Sequence, residues 1–301
     1  MAGKNLTIAI PTLGRFEEVR DTINGILGGT RMPDEILVSD QNHPALADLD
    51  AYLAARSPLI RHLRTEPKGV VFNMNTLLRE AKGDVILYVD DDVIPSPELA
   101  EAHLKNYEDD RIAGVAGRVE QPTGDIPPED VKEVGVFRRW TGRMVFRFNG
   151  LIRQECVFAQ GANMSFHRHR LLAIGGFDEG FTGNGYFFES DATLRLSKAY
   201  PHGMIFDPLA SLKHLAAPRG GARVPDRALH NAFFVHNAVR LFRRHSPQLV
   251  FPMHVAKLAM LTLAKAAFRR SHMIAERGLR AIWNGLAQDP RPVASALHDR
   301  R

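Results

Sequence analysis

Apolar positions recur along this chain in two alternating rhythms. Residues 6–11 (LTIAIP) form a short continuous apolar run rich in strand formers, and Val19, Ile23, Ile26 and Leu27 then repeat at helical spacing. Residues 35–39 (EILVS) predict a second strand ending at Asp40, residues 45–55 a helix, and residues 59–63 a third strand. A further helix over residues 70–81 stops at Lys82–Gly83, and residues 84–89 (DVILYV) form the strongest strand signal of all. From Val85 onward that run is apolar, as in strands covered on both faces. Strands alternating with helices in this way predict a mainly parallel sheet flanked by helices.

Beyond residue 113 the rhythm loosens. Residues 114–119 predict a strand, residues 121–128 a turn with three prolines, and residues 138–153 a mobile or substrate-facing loop of arginines and aromatics. Residues 158–166 predict a strand leading into a helix at 168–174, residues 190–199 another helix, and residues 204–206 a short strand. After the break at 218–221, residues 228–243 and 251–283 predict two long helical blocks. The chain thus divides into residues 1–218, an α/β catalytic unit, and residues 219–301, a helical extension.

Charge sharpens that division. The extension holds 15 Lys and Arg against 4 Asp and Glu, a net +11, whereas residues 1–218 carry −6. A basic tail on an acidic body suggests an anionic partner, a membrane surface or nucleic acid, unless it is simply a solvated face. Residues 249–268 are apolar but are interrupted by Pro252, His254, Lys257 and Lys265, so a spanning helix is not expected. An amphipathic helix packed on the body or lying in a membrane interface fits better. A single cysteine, Cys156, excludes an internal disulfide framework, and the first residues lack the pattern of a signal peptide. Both point to a cytoplasmic protein, peripheral at the inner face of the membrane if the tail touches lipid.

The densest chemistry is Asp90, Asp91 and Asp92, at the end of the strongest strand. Adjacent carboxylates there need a cation or hydrogen-bond donors, and ligands of open α/β sheets gather at strand carboxyl ends. A polar turn capping the strand is the plainer alternative.

The surrounding blocks resemble the inverting glycosyltransferases of family 2, which have the GT-A fold. DVILYVDDDVIPSPELA resembles that family's aspartate motif, AIPTLGR its first strand and loop, EILVSDQN its second strand, and KGVVFNMNTLLREAKGD the helix before the aspartates. GANMSFHRHRLLAIGGFDE resembles the acceptor-side block, and FFESDATLRLSKAYPHGMIFDPLASLKH the block with the catalytic base and a later histidine. The resemblance spans roughly residues 5–215 and implies transfer of a sugar from a UDP-, GDP- or dTDP-linked donor to a hydroxyl. It implies a Mg²⁺ or Mn²⁺ ion at Asp92, Asp90 and His214, and donor contacts from Pro11, Thr12, Asp40, Lys68, Asn75, Asp90 and Asp91. Asp178 and Glu179 would line the acceptor pocket.

The family's base is usually an aspartate after a glutamate. The matching positions here are Phe188 and Glu189, with Asp191 at a second acidic position, so Glu189 is the first candidate and Asp191 the second. Glutamate performs the same proton transfer one methylene farther out. A glycan or lipid-linked acceptor in cell-surface glycan synthesis is the expected partner, and no nucleic acid is expected. The alternatives are a nucleotidyltransferase, for which the loop after the first strand offers only Gly14 and Arg15, and an inactive transferase-like domain whose basic tail is the working part.

Overall fold

The computed structural model describes residues 3–56, 58–123, 126–293 and Leu297. Part of the expected turn at 121–128 and the end of the extension lie outside the described residues. The first half alternates as expected: β1 (Leu6–Thr12), α1 (Glu17–Leu27), β2 (Glu35–Asp40), α2 (Ala47–Ala54), β3 (Ile60–Arg64), α3 (Val70–Glu80) and β4 (Val85–Val89). Then come β5 (Val93–Pro95), α4 (Leu99–Asn106), β6 (Gly114–Glu120), β7 (Val136–Arg138), β8 (Arg143–Val145), β9 (Gln154–Glu155) and β10 (Asn163–His167). The remainder is α5 (Arg168–Ala173), α6 (Phe188–Ala199), β11 (Met204–His214), α7 (Arg227–His245), α8 (Phe251–Phe268) and α9 (His272–Ala287).

The main sheet runs β3-β2-β1-β4-β10-β6-β11-β5, with β9 paired to β11. Strands β3, β2, β1 and β4 are mutually parallel, as are β6 and β11, while β10 lies antiparallel between β4 and β6. Strand β1 sits between β2 and β4, so the sheet order reverses there. The crevice at such a switch point opens at the carboxyl ends of β1 and β4, which is where Thr12 and Asp90–Asp92 lie. Helices cover both faces, so β4 is buried at all five positions.

Beneath β4 an aromatic cluster locks the sheet to α6. Phe177 meets Tyr88 edge-on at 5.4 Å and Phe188 at 5.4 Å, and all three rings are buried. Such pairs contribute about 1 kcal/mol each beyond their buried area. Phe188 therefore fixes the first turn of α6, and Phe187 before it holds a left-handed backbone at φ 72°. A non-glycine residue there costs on the order of 1–3 kcal/mol and persists only where its surroundings dictate it.

Several elements depart from the sequence reading. The strand expected at 158–166 is ordered as strand only from Asn163, and the helix expected from 190 starts at Phe188. Strand β5 and helix α4 were not anticipated. The loop expected at 138–153 contains strand β8, which pairs with β7. A Cβ on Gly142 would lie 3.1 Å from Phe242 and 3.2 Å from His254, so the hairpin tip leans on α7 and α8 rather than on the crevice. The helical block 251–283 breaks at Arg269–Ser271, with Arg270 at φ 49°.

The departure that matters most is β11, expected to end at Phe206. Its register against β6 shifts between Asp207 and Ser211, around Pro208, which has no N–H to give the ladder. Asn163 Nδ2 fills the gap by donating to Ala210 O at 2.9 Å and Arg118 O at 3.0 Å. Position 117 must be glycine there, because a Cβ would come within 2.2 Å of that amide. Past the bulge β11 pairs with β5 and sets His214 opposite Val93, beside the aspartates.

Helix α7 packs against α9, and α8 joins them around Val235, Ala238, Val239, Leu258 and Ile282. Gly278 and Gly285 let α9 approach closely: a Cβ would stand 2.5 Å from Thr262 Cγ2 and 3.1 Å from Val239. Among the described residues, no helix is long and apolar enough to cross a membrane.

Candidate active site

The three aspartates occupy three different environments. Asp91 is buried, accepting from Thr12 Oγ1 at 2.7 Å and from the Arg15 guanidinium. Asp92, also buried, accepts from Ala217 N–H at 2.7 Å and pairs with Arg15 at 3.0 Å. Asp90 alone is substantially open, with 41% of its side chain exposed in the crevice. Desolvation there, with Asp92 and Asp91 adding like charge, pushes Asp90 up to about 6 against the pull of His214. Burial also raises Asp91, outweighing Arg15 and Thr12. Burial opposes ionisation of Asp92 as well, but His214, Arg15 and the Ala217 N–H hold it below the usual range.

His214 Nε2 lies 3.7 Å from Asp90 and 3.3 Å from Asp92, while its Nδ1 meets Gln121 Oε1 at 2.9 Å. A carboxamide oxygen on Nδ1 accepts its proton and aims the other ring nitrogen at two carboxylates. Burial lowers the imidazole's proton affinity, but the two aspartates outweigh it and raise it overall. Ligand atoms of Asp90, Asp92 and His214 all fall within 4.8 Å of one another. One imidazole nitrogen and two carboxylates of unequal exposure form a donor set that fits a divalent cation such as Mg²⁺ or Mn²⁺.

These groups line a cavity of about 1150 Å³ together with Glu189. Burial, with Asp90 adding and the glutamate's own backbone N–H opposing, pushes Glu189 up to about 7. A carboxyl facing a crevice and poised near neutrality is suited to take a proton from an incoming hydroxyl.

The other sequence candidates separate sharply. Pro11, Thr12 and Asp91 line the same cavity. Asp40 lies just beneath it, buried, accepting from Asn42 N–H at 2.8 Å and Asn42 Nδ2 at 2.6 Å, with His62 Nε2 3.1 Å away. Gln41, its neighbour, is the side chain at the wall. Lys68 is exposed and lies over the Phe72 ring at 4.9 Å. Asn75 is fully buried, donating to Phe177 O and Glu179 Oε1 and accepting from Phe177 N–H, so it clasps α3 to the turn carrying Glu179.

Asp178 and Asp191 are also buried, away from the crevice. Asp178 accepts from Arg240 Nε and Arg244 Nη2, both at 2.7 Å, and from Gly180 and Val293 N–H. Asp191 pairs with Arg195 at 2.9 Å, with His245 at 2.8 Å and with Arg244. Burial opposes ionisation of Asp191, yet His245, Arg195 and Arg244 hold it well below the usual carboxylate range. These two acids join the sheet body to α7, and neither lines the cavity.

Two contributors were missed in the sequence. Arg15 is the buried counter-charge to Asp91 and Asp92, and its Nε donates to Arg219 O at 2.8 Å. It thereby holds the segment 218–225, another wall of the cavity, where Gly220 and Gly221 take positive φ over Leu13 and Arg15. A lone arginine after a glycine carried no signal of that kind. The Gly-Gly pair at 220–221 did signal a turn, but not what it covers.

Comparison with known proteins places this arrangement. The sequence model of glycosyl transferase family 2 matches residues 7–172. The glucosyl-dolichyl phosphate glucuronosyltransferase of Haloferax volcanii is 22% identical over 219 residues, covering 70% of this chain and 68% of that protein. Among solved structures, the mannosyltransferase PcManGT from Pyrobaculum calidifontis, in complex with GDP-Man and Mn²⁺, superposes with a TM-score of 0.59 at 17% identity. That match covers 96% of this chain and 77% of the other. GalNAc-T7 with UDP, GalNAc and Mn²⁺ gives a TM-score of 0.63 at 15% identity, over 80% of this chain and 48% of its own. The architecture is that of GT-A glycosyltransferases.

Proposed function

The chain belongs to glycosyl transferase family 2, and from that premise we propose that it transfers a sugar from a nucleotide diphosphate donor to a hydroxyl acceptor, inverting the anomeric carbon, with Glu189 as the base. The observation that carries this reading is that Glu189 and the Asp90, Asp92 and His214 cluster face one cavity. Solved relatives of the same fold are complexes with GDP-Man and Mn²⁺ and with UDP, GalNAc and Mn²⁺.

In this reading the donor's base lies against Pro11, Thr12 and Gln41, with Asp40 fixing the backbone at Asn42 beneath it. Asp90, Asp92 and His214 would hold a divalent ion, which would supply positive charge where the departing diphosphate becomes negative. Arg15 supplies the counter-charge to Asp91 and Asp92 and holds them in place. Glu189 accepts the acceptor's hydroxyl proton as the oxygen attacks opposite the leaving group, which inverts the centre. Residues 1–218 carry the chemistry, and the extension positions α6 and presents the enzyme to the inner face of a membrane. The acceptor is then a lipid-linked or cell-surface glycan. The support for this is the exposed apolar residues of α8, among them Met253, Met260, Leu261 and Phe268, in a basic tail.

Calorimetry with UDP, GDP and dTDP, with and without Mn²⁺, tests the donor site. One nucleotide is expected to bind in a Mn²⁺-dependent manner, and Asp92→Ala to abolish the metal-dependent part. If none of the three binds under either condition, the donor reading fails.

A further inference from the structure

A smaller cleft of about 260 Å³ opens beside the large cavity, where the start of α7 meets the end of α8 and the start of α9. Its walls are Val224, Arg227, His230, Lys265, Arg269 and Ile274. None of the six is acidic. Val224 and His230 line both spaces, so the two share a wall. Tyr186, three residues before Glu189, stands on that wall: its ring meets His230 edge-on at 5.4 Å and its hydroxyl lies 3.3 Å from Nε2.

Cations brought together need a counter-charge, and this cleft supplies none of its own. Asp226, just before Arg227, is already committed. Its Oδ1 caps α7 through the Ala228 and Leu229 N–H groups, and its Oδ2 pairs with Arg277 at 3.0 Å. Lys265 Nζ donates to the neutral Asn231 Oδ1 at 3.1 Å, and Arg269 lies over the Phe268 ring. Among the described residues, Arg227, Lys265 and Arg269 have no carboxylate partner. Burial, with the Lys265 charge adding, lowers the proton affinity of His230. Phe268 and Met273, the chain neighbours of the lining residues Arg269 and Ile274, are 81% and 46% exposed.

We propose that this cleft binds a phosphate group of the acceptor, carried on an apolar chain, while the acceptor's hydroxyl reaches Glu189 past Tyr186 and His230. Arginine and lysine donors lining one cleft match phosphate oxygens, and the exposed Phe268 and Met273 next to two of the lining residues suit an alkyl or prenyl chain leaving the site. The proposal rests on the glycosyl-transfer reading and adds a site that donor binding alone does not require.

Octyl phosphate and inorganic phosphate are the probes, titrated calorimetrically into the wild type and into Lys265→Gln/Arg269→Gln, each with the nucleotide and Mn²⁺ already bound. Octyl phosphate is expected to bind more tightly than inorganic phosphate. The double variant should weaken it at least about tenfold, as expected for lost charge-assisted hydrogen bonds. Nucleotide binding, made by other side chains, reports folding in the same samples and tests the donor reading separately. Equal affinity for the two phosphates overturns the lipid-borne acceptor. Unchanged binding by the variant, or displacement of the nucleotide by octyl phosphate, overturns the cleft as the site.

Discussion

Glu189 and Asp191 stand two residues apart on α6 and have opposite electrostatics. Glu189 lines the cavity, and burial raises it to about 7. Asp191 faces α7 and is held low by His245, Arg195 and Arg244. A carboxylate raised above its unfolded value destabilises the fold once it ionises, so that penalty is absent below about pH 4.5 and complete above about pH 7. Glu189→Gln should therefore melt no lower than the wild type at pH 8, and slightly higher, while kcat falls about 10²–10⁴-fold. Wild-type turnover should rise with pH through a limb near or somewhat below 7, because a bound cation offsets the contribution of Asp90. A variant that loses stability at pH 8 together with activity would make Glu189 a structural start to the helix.

The buried junction between α6 and α7 works the other way at the scale of elements. Asp178 and Asp191 accept from Arg240, Arg244 and His245, so breaking one partner strands a buried charge. Asp191→Asn should cost about 3 kcal/mol in urea unfolding at pH 7. The stability contributed by Asp191 is present above its ordinary value of 3.8 and is lost as pH falls through its depressed folded value. Arg244→Met should be similarly costly, and the double variant less than the sum of the two, with about 0.5–3 kcal/mol of coupling. Additive losses would mean that the pair does not join the helices. This junction is also what sequence reading could not reach. Asp90–Asp92 were legible because three acids end an apolar strand, and the alternation through β4 followed from burial on both faces. The α7 partners of Asp178 and Asp191, by contrast, come 53 to 66 residues later, on a helix whose arginines look like solvated charge. Two acids beside family-like motifs were accordingly assigned to chemistry. The extension of β11 to His214 was hidden for a related reason, since Pro208 ends any local strand pattern and only the fold carries the strand past it.

At the scale of the whole molecule the charge is divided between body and tail, −6 against +11, and the tail also carries the two most exposed large apolar side chains, Leu249 and Phe268. On α8, Met253, Met260, Leu261, Leu263 and Phe268 are all between 48% and 81% exposed, and Trp283 of α9 is 71% exposed. Scattered apolar residues need no partner, but a helix whose outward face is almost wholly apolar does. Basic residues nearby, Lys257, Arg269, Arg270, Arg277 and Arg280, favour an anionic bilayer, each contributing about 1 kcal/mol near such a surface. The protein should therefore pellet with phosphatidylglycerol vesicles at low salt, more weakly at high salt, and hardly at all with neutral vesicles. Met260→Glu/Leu261→Glu should abolish pelleting and leave nucleotide binding intact, because α8 does not line the large cavity. Pelleting that survives both charges would place the contact elsewhere. A wild type that stays in solution with vesicles but sediments as a dimer, reverting to monomer in that variant, would assign the face to a second copy of the chain. An apolar face buried in a symmetric dimer has no need of surrounding arginines, whereas one lying on acidic lipid does, and the salt dependence separates the two.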